Sequence, residues 1–172
     1  MLLSRSKLIR LIAFDVDGVM TDGGLYFSDS GEEFKRFNSL DGHGLKMLRA
    51  SGVEVAIITG RTSRCVEVRA QNLGITHVFQ GVENKLEAML ELLSKLKLSR
   101  DTAAYMGDDV VDLMVMRHVG LAISVPQAPL LVRKHSHYVT EREGGHGAVR
   151  EACELIMSAQ DTLDAQLAQY LQ

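Results

Sequence analysis

Short apolar runs rich in β-branched residues alternate with helix-length amphipathic segments along most of this chain, and few folds other than a parallel sheet with helices on its faces accommodate that rhythm. Five runs qualify as strands: Ile9 to Phe14, Val53 to Thr59, His77 to Phe79, Thr102 to Met106 and Leu121 to Val125. None alternates cleanly between apolar and polar residues, as expected of strands covered on both faces. The segments Gly42 to Ala50, Ser63 to Leu73, Lys85 to Leu96 and Asp109 to His118 carry helical spacing and are predicted as crossovers. Between Gly24 and Asn38, Leu25 to Ser28 and Glu33 to Asn38 flank Asp29-Ser30-Gly31, which predicts a β-hairpin projecting from the sheet. From Val149 onward, apolar residues at 152, 155, 156, 159, 163, 167 and 170 predict a C-terminal helix or tail over about 148–172. With no repeat, low-complexity stretch or linker, one domain over 1–172 is expected.

The 172 residues suffice for a hydrophobic core without staples, and 46% hydrophobic with 24% charged residues is ordinary globular composition. A net charge of −3 with no Lys/Arg block lacks the electrostatic footprint that nucleic acid or an anionic membrane selects, so neither is expected as a partner. Cys65 and Cys153, the only cysteines, indicate neither a disulfide framework nor a thiolate metal site and are expected as small core residues in a reducing compartment. The apolar run near the N-terminus breaks at Asp15, no cleavage signal follows, and no stretch reaches ~18 consecutive apolar residues. A cytoplasmic protein is the expectation.

The chemistry-bearing residues cluster at predicted strand ends. Asp15-Val16-Asp17-Gly18 closes the first strand and puts two carboxylates at the carboxyl edge of the sheet, where open α/β folds build their sites. A calcium loop fails on spacing, since the fifth and sixth positions are Val19 and Met20. Thr59-Gly60-Arg61 offers a hydroxyl, flexible backbone and a guanidinium suited to an anion, or simply a capping Thr and a surface Arg. Lys85 opens a helix where a cation opposes the dipole, so a nearby anion is needed to explain it. Asp108, Asp109 and Asp112 follow the fourth strand and suit either a helix cap or a metal ion. His135 and His137 could share a strand face for zinc, but no third ligand is evident. Met106, Met114 and Met116 read as core filler.

The order D-x-D, T, K, G-D-D-x-x-D from Asp15 to Asp112 resembles the haloacid dehalogenase superfamily of phosphotransferases. The resemblance implies a magnesium-dependent phosphohydrolase with a Rossmann-like fold. Asp15 is then the nucleophile and Asp17 the general acid/base; Thr59 and Lys85 hold phosphoryl oxygens. Asp15, the main-chain oxygen of Asp17 and Asp108 hold Mg²⁺, with Asp109 and Asp112 behind them. Residues 24–48, Thr59 to Ser63 and Glu141 to Ile156 look like the cap-less 3-deoxy-D-manno-octulosonate 8-phosphate phosphatases, a resemblance covering roughly Leu8 to Ile156. In that family the segment matching Asn38-Ser39-Leu40-Asp41-Gly42, with the positions of Lys46, Arg61 and Arg69 and the neighbouring Gly60, contributes to substrate binding. Met114 stands where the family pattern suggests Pro. Phosphatases of nine-carbon sialic-acid-type sugars share much of the pattern, and a phospho-accepting receiver module is the competing class. No cap domain fits between Asp22 and Leu40 or between Thr59 and Lys85, so Leu25, Tyr26, Phe27, Phe34 and Phe37 are expected to pack on a neighbouring subunit. The family resemblance points to a homotetramer.

Overall fold

The computed structural model describes residues 1–171. In chain order the elements are α1 (Leu2–Leu8), β1 (Leu11–Phe14), β2 (Tyr26–Phe27), β3 (Glu33–Phe34), α2 (Ser39–Ala50), β4 (Glu54–Ile58), α3 (Arg64–Leu73), β5 (His77–Phe79) and α4 (Lys85–Leu96). There follow β6 (Ala103–Met106), α5 (Leu113–Met116), β7 (Leu121–Ser124), α6 (Leu130–Lys134), β8 (Tyr138–Val139), α7 (Ala148–Ala159) and α8 (Leu163–Ala168). Six strands form one sheet in the order β5-β4-β1-β6-β7-β8, with every pairing parallel. β1 lies beside both β4 and β6, with Phe14 level with Ile57 and Met106, so its carboxyl end opens where the strand order departs to either side. That is the crevice in which doubly wound sheets place ligands.

The predicted α/β fold is present with its five strands and three of its four crossover helices. β8 escaped the sequence reading because Tyr138–Val139 is a two-residue edge strand, too short for any periodicity to register. α1 and α6 were also missed. α1 buries only Ser6 and α6 only Val132, so neither writes an apolar stripe into the sequence. The single long C-terminal helix is corrected to two: α7 stops at Ala159, Asp161 takes a positive φ of 57°, and α8 resumes at Leu163. Asp109 to His118 is likewise not one helix but a 3₁₀ turn at Val110–Asp112 followed by the four-residue α5.

β1, β6 and β7 are wholly buried, with Ile12, Phe14, Tyr105, Met106 and Ile123 among the inaccessible residues. α7 lays Val149, Ala152, Cys153, Ile156 and Met157 into the core, where it packs against α2. Burying a side chain of the size of Ile156 contributes roughly 1.5–3 kcal/mol. The expected hairpin is reduced to two paired residues per strand, Tyr26 opposite Phe34 and Phe27 opposite Glu33. Gly31 takes the positive φ (84°) its turn asks for, and the Gly31 N–H donates to the Ser28 carbonyl at 2.9 Å. Leu25, Tyr26, Phe27 and Phe34 stay exposed. Phe37 instead packs partly against the core, with the Arg69 guanidinium 5.7 Å from its ring centroid.

Two smaller expectations change as well. Met106 and Met116 are core residues, but Met114 is half-exposed. Cys153 is buried, whereas Cys65 is only partly so and its thiol lies 3.4 Å from the Glu33 carbonyl beneath the hairpin. Among the described residues no helix is long and apolar enough to cross a membrane.

Candidate active site

β1 delivers Asp15 to the sheet edge, where its N–H donates to the Met106 carbonyl at 3.0 Å and its Oδ1 accepts the Val16 N–H at 2.7 Å. The chain then turns tightly, with the Val16 carbonyl accepting the N–H groups of Val19, Met20 and Thr21. Buried Thr21 braces this turn, its hydroxyl oxygen accepting the Gly18 and Gly23 N–H groups at 3.3 and 3.2 Å. The loop Gly144-Gly145 presses on the same turn. A Cβ on Gly144 would stand 1.9 Å from the Gly18 carbonyl oxygen, so only glycine fits. β4 ends at buried Thr59, and α4 begins at buried Lys85.

Buried Asp112 organises the far side of the site. Its Oδ1 accepts from Lys85 Nζ at 2.7 Å and the Tyr105 hydroxyl at 2.8 Å, while its Oδ2 accepts the Asp108 and Asp109 N–H groups at 3.0 and 3.1 Å. Asp109 and Asp112 thereby form a capping box around the 3₁₀ turn. The helix-cap reading of these acids is realised, and the residue that caps also holds Lys85. Lys85 Nζ lies 3.0 Å from Asp15 Oδ2. The anions that explain a lysine at this helix start are thus the protein's own carboxylates. Burial opposes the Lys85 charge, but Asp15 and Asp112 outweigh it and its pKa is raised.

Carboxylates so crowded resist ionisation. Burial, then the neighbouring Asp112, lifts Asp15 to about 6 against the partial relief from Lys85. Asp108 rises to about 7 through burial and the charges of Asp15 and Asp112. Oxygens of Asp15, Asp108 and Asp112 lie within 4.8 Å of one another, and Asp108 Oδ1 is buried without a hydrogen-bond partner. Asp112 has four donors on its two oxygens, which leaves Asp15 and Asp108 as the carboxylates with capacity for an ion. An all-oxygen donor set with unspent negative charge fits a hard divalent cation such as Mg²⁺.

Asp15, Lys85 and Asp108 line a cavity of about 350 Å³ with Asp17, Gly23, Leu25, Thr59, Gly60, Arg61, Asp109 and Val111. Arg61 reaches across it, 2.7 Å from Glu33 Oε1 and 3.6 Å from Asp17 Oδ2. The other expected substrate residues lie apart from this cavity. Asn38 caps α2, accepting the Leu40 and Asp41 N–H groups; buried Asp41 accepts the Arg150 N–H at 2.8 Å and so ties α2 to α7. Ser39 and Gly42 fall in the opening turn of α2, Lys46 is exposed on that helix, and Arg69 donates to the Asn38 carbonyl at 3.1 Å. The two histidines do not converge: Nδ1 of His135 meets the Leu131 carbonyl, and that of His137 accepts the Ala122 N–H.

Sequence reasoning missed Glu33 and Lys35. Lys35 Nζ sits 2.5 Å from Asp17 Oδ1 and 3.3 Å from Glu33 Oε1. The period of two that sets residues 33 and 35 on one face and Phe34 on the other was the available signal.

A parallel sheet whose central strand ends in an aspartate pair, ringed by Thr, Lys and a second acidic loop, is the arrangement of a phosphohydrolase. The family of haloacid dehalogenase-like hydrolases matches over residues 25–125, more than half the chain. The chain belongs to that family and, within it, to the 3-deoxy-D-manno-octulosonate 8-phosphate phosphatases. The phosphatase of that name from Yersinia pestis is 49% identical over 162 residues, covering 94% of this chain and 87% of the relative. A probable YrbI family phosphatase from Pseudomonas syringae superposes with a TM-score of 0.98 at 54% identity, over 99% of this chain and 97% of that one. The 3-deoxy-D-manno-octulosonate 8-phosphate phosphatase from Moraxella catarrhalis, solved with magnesium, phosphate and KDO, gives 0.96 at 45% identity over 98% and 97%.

Proposed function

We propose that this chain is a magnesium-dependent phosphomonoesterase that hydrolyses 3-deoxy-D-manno-octulosonate 8-phosphate to the free sugar acid and phosphate through an aspartyl-phosphate. The observation that carries the reading is the geometry at Asp15: a nucleophilic carboxylate 3.0 Å from the Lys85 ammonium, beside the unpartnered oxygen of Asp108. The relatives' substrate supports the eight-carbon sugar acid over a nine-carbon one, and the family sets aside a signalling receiver.

In this mechanism a carboxylate oxygen of Asp15 bonds to phosphorus as the bond to the sugar oxygen breaks, and Asp17 gives its proton to that leaving oxygen. Lys85 and the Thr59 hydroxyl hold the nonbridging oxygens. Asp15, Asp108 and the main-chain oxygen of Asp17 would hold magnesium, which would supply charge neutralisation for the transferring phosphoryl group. Asp17 then takes a proton from the water that attacks phosphorus, which releases phosphate and restores the Asp15 carboxylate. Arg61 at the open side of the cavity meets the sugar acid's negative charge; Lys46, Arg69 and the Asn38–Gly42 segment, which lie apart from that cavity, would contribute to substrate binding at the site of a neighbouring subunit.

A homotetramer accounts for the exposed Leu25, Tyr26, Phe27 and Phe34, since a two-residue strand pair is marginal alone and an apolar patch this dense marks a contact surface. A cytoplasmic location accords with the free cysteines. The test is phosphate release from a panel of phosphorylated sugar acids, with ordinary sugar phosphates as controls. Magnesium-dependent turnover selective for the eight-carbon substrate, lost in Asp15→Asn and Asp17→Asn, is expected. Full activity in excess chelator, or in Asp15→Asn, overturns the reading.

A further inference from the structure

The hairpin does more than present an apolar surface, because one of its side chains runs inward to the acid pair. Lys35 belongs to a segment whose backbone is solvated, yet its side chain is only 2% exposed. Its ammonium meets two carboxylates, Asp17 Oδ1 at 2.5 Å and Glu33 Oε1 at 3.3 Å. Arg61 closes the ring from the other side, with Nη2 on the same Glu33 oxygen and Nε toward Asp17 Oδ2. Asp17 makes no other side-chain contact of this kind, so its carboxylate plane is set by two cations, and the nearer and more buried is Lys35. An ion pair out of water is far stiffer than an exposed one, and an aspartate with a short side chain has few other ways to hold its aim. With Lys35 on Oδ1 and Arg61 Nε no nearer than 3.6 Å to Oδ2, the acid's proton belongs on Oδ2; delivery to a leaving oxygen demands a donor within about 2.6–3.2 Å, so a carboxyl group free to rotate loses rate without losing substrate affinity.

We propose that Lys35 is a positioning residue, which aims the Asp17 carboxylate at the leaving-group oxygen, and that Glu33 anchors Lys35. The inference rests on the reading of Asp17 as the acid. It makes the hairpin part of the catalytic apparatus of its own subunit, whatever its outer face packs against.

The experiment compares kcat/KM for phenyl and 4-nitrophenyl phosphate. These substrates differ in how much their leaving group needs a proton and share the same contacts, and kcat/KM includes no step after the aspartyl-phosphate forms. In Lys35→Met the ratio of 4-nitrophenyl to phenyl phosphate activity should rise about tenfold, a fraction of the 10²–10⁴ a positioned acid supplies. Lys35→Arg should restore part of it, and Glu33→Gln, which leaves the ammonium in place but loosened, should raise the ratio by about threefold. A lysine that merely supports the fold lowers both activities alike, and one that binds substrate leaves the ratio of these two untouched; an unchanged ratio in both Lys35→Met and Glu33→Gln overturns the proposal. Asp17→Asn serves as the reference. A raised ratio there with an unchanged one in the hairpin variants sinks only the role of Lys35, whereas an unchanged ratio in Asp17→Asn sinks the assignment of the acid itself.

Discussion

Replacing Asp112 by Asn isolates the residue on which the far side of the site is built. Its carboxylate is inaccessible and accepts four hydrogen bonds, two on each oxygen. An amide has one acceptor oxygen, so its NH₂ must face either Lys85 and Tyr105 or the N–H groups of Asp108 and Asp109. With the NH₂ toward Asp108 and Asp109 both N–H groups lose their acceptor; with it toward Lys85 and Tyr105 the ammonium loses one, and the tyrosine hydroxyl, which can accept from the amide, falls back on the Ile58 carbonyl at 3.4 Å. Hydrogen bonds to a charged group are worth roughly 1.5–3 kcal/mol each, so the loss of one to two of them comes to about 1.5–6 kcal/mol. The same substitution removes a negative charge that raises the pKa values of both Asp15 and Asp108, and that relief offsets part of the loss. Magnesium at Asp15 and Asp108 would already have cancelled their repulsion, leaving nothing to relieve. Asp112→Asn should therefore be destabilised more with magnesium present than in chelator. The full loss corresponds to a Tm drop of roughly 3–24 °C for a domain of this size. Urea titrations in both buffers measure it as a shifted midpoint at constant slope. A change below about 1 kcal/mol in both, or a larger effect in chelator, would refute the account of Asp112 as a saturated hub.

In chelator, Asp15 and Asp108 should make stability fall as pH rises: a carboxyl raised in the folded state contributes fully below its ordinary value near 4, and that contribution is lost on passing about 6 to 7. Thermal melts from pH 4 to 7 should show this slope flattened in Asp108→Asn, and an unaltered slope argues against the crowding. Gly144→Ala, whose Cβ collides with the Gly18 backbone, should cost about 1–3 kcal/mol and lower kcat at least tenfold by shifting the turn after Asp17. Gly52→Ala, strained at φ 98° but with open space around it, should lower the melting temperature and leave kcat intact; equal kcat losses in the two would deny the buttress its role. Light scattering should give about four times 19.0 kDa, and Phe27→Asp should dissociate the assembly; a fully active wild-type monomer at assay concentration removes the need for a shared site.

The chain's own pattern determined the layered fold and the gathering of acids, Thr and Lys at its strand and helix ends. Buried parallel strands must be apolar on both faces and their crossovers amphipathic, so β1, β4 and β6 and helices α2, α3 and α4 were legible where they stand, and Asp15, Thr59, Lys85 and Asp108 followed from their places at strand and helix ends. What lacked a period was not legible. β8 is two residues long, α1 and α6 bury one side chain each, and the break at Asp161 is a backbone event within an apolar rhythm that runs on past it. Partnership, too, belonged to the tertiary structure. Asp112 differs from an ordinary helix cap only because the fold brings Lys85, 27 residues away in the chain, to its oxygen. Lys35 differs from a solvated hairpin lysine only because the turn at Gly18 to Gly23, held from behind by Gly144 and Gly145, folds the hairpin back over Asp17. A sequence records what each residue can bond to, whereas which of those bonds form depends on strands and loops far apart in the chain meeting at one edge of the sheet.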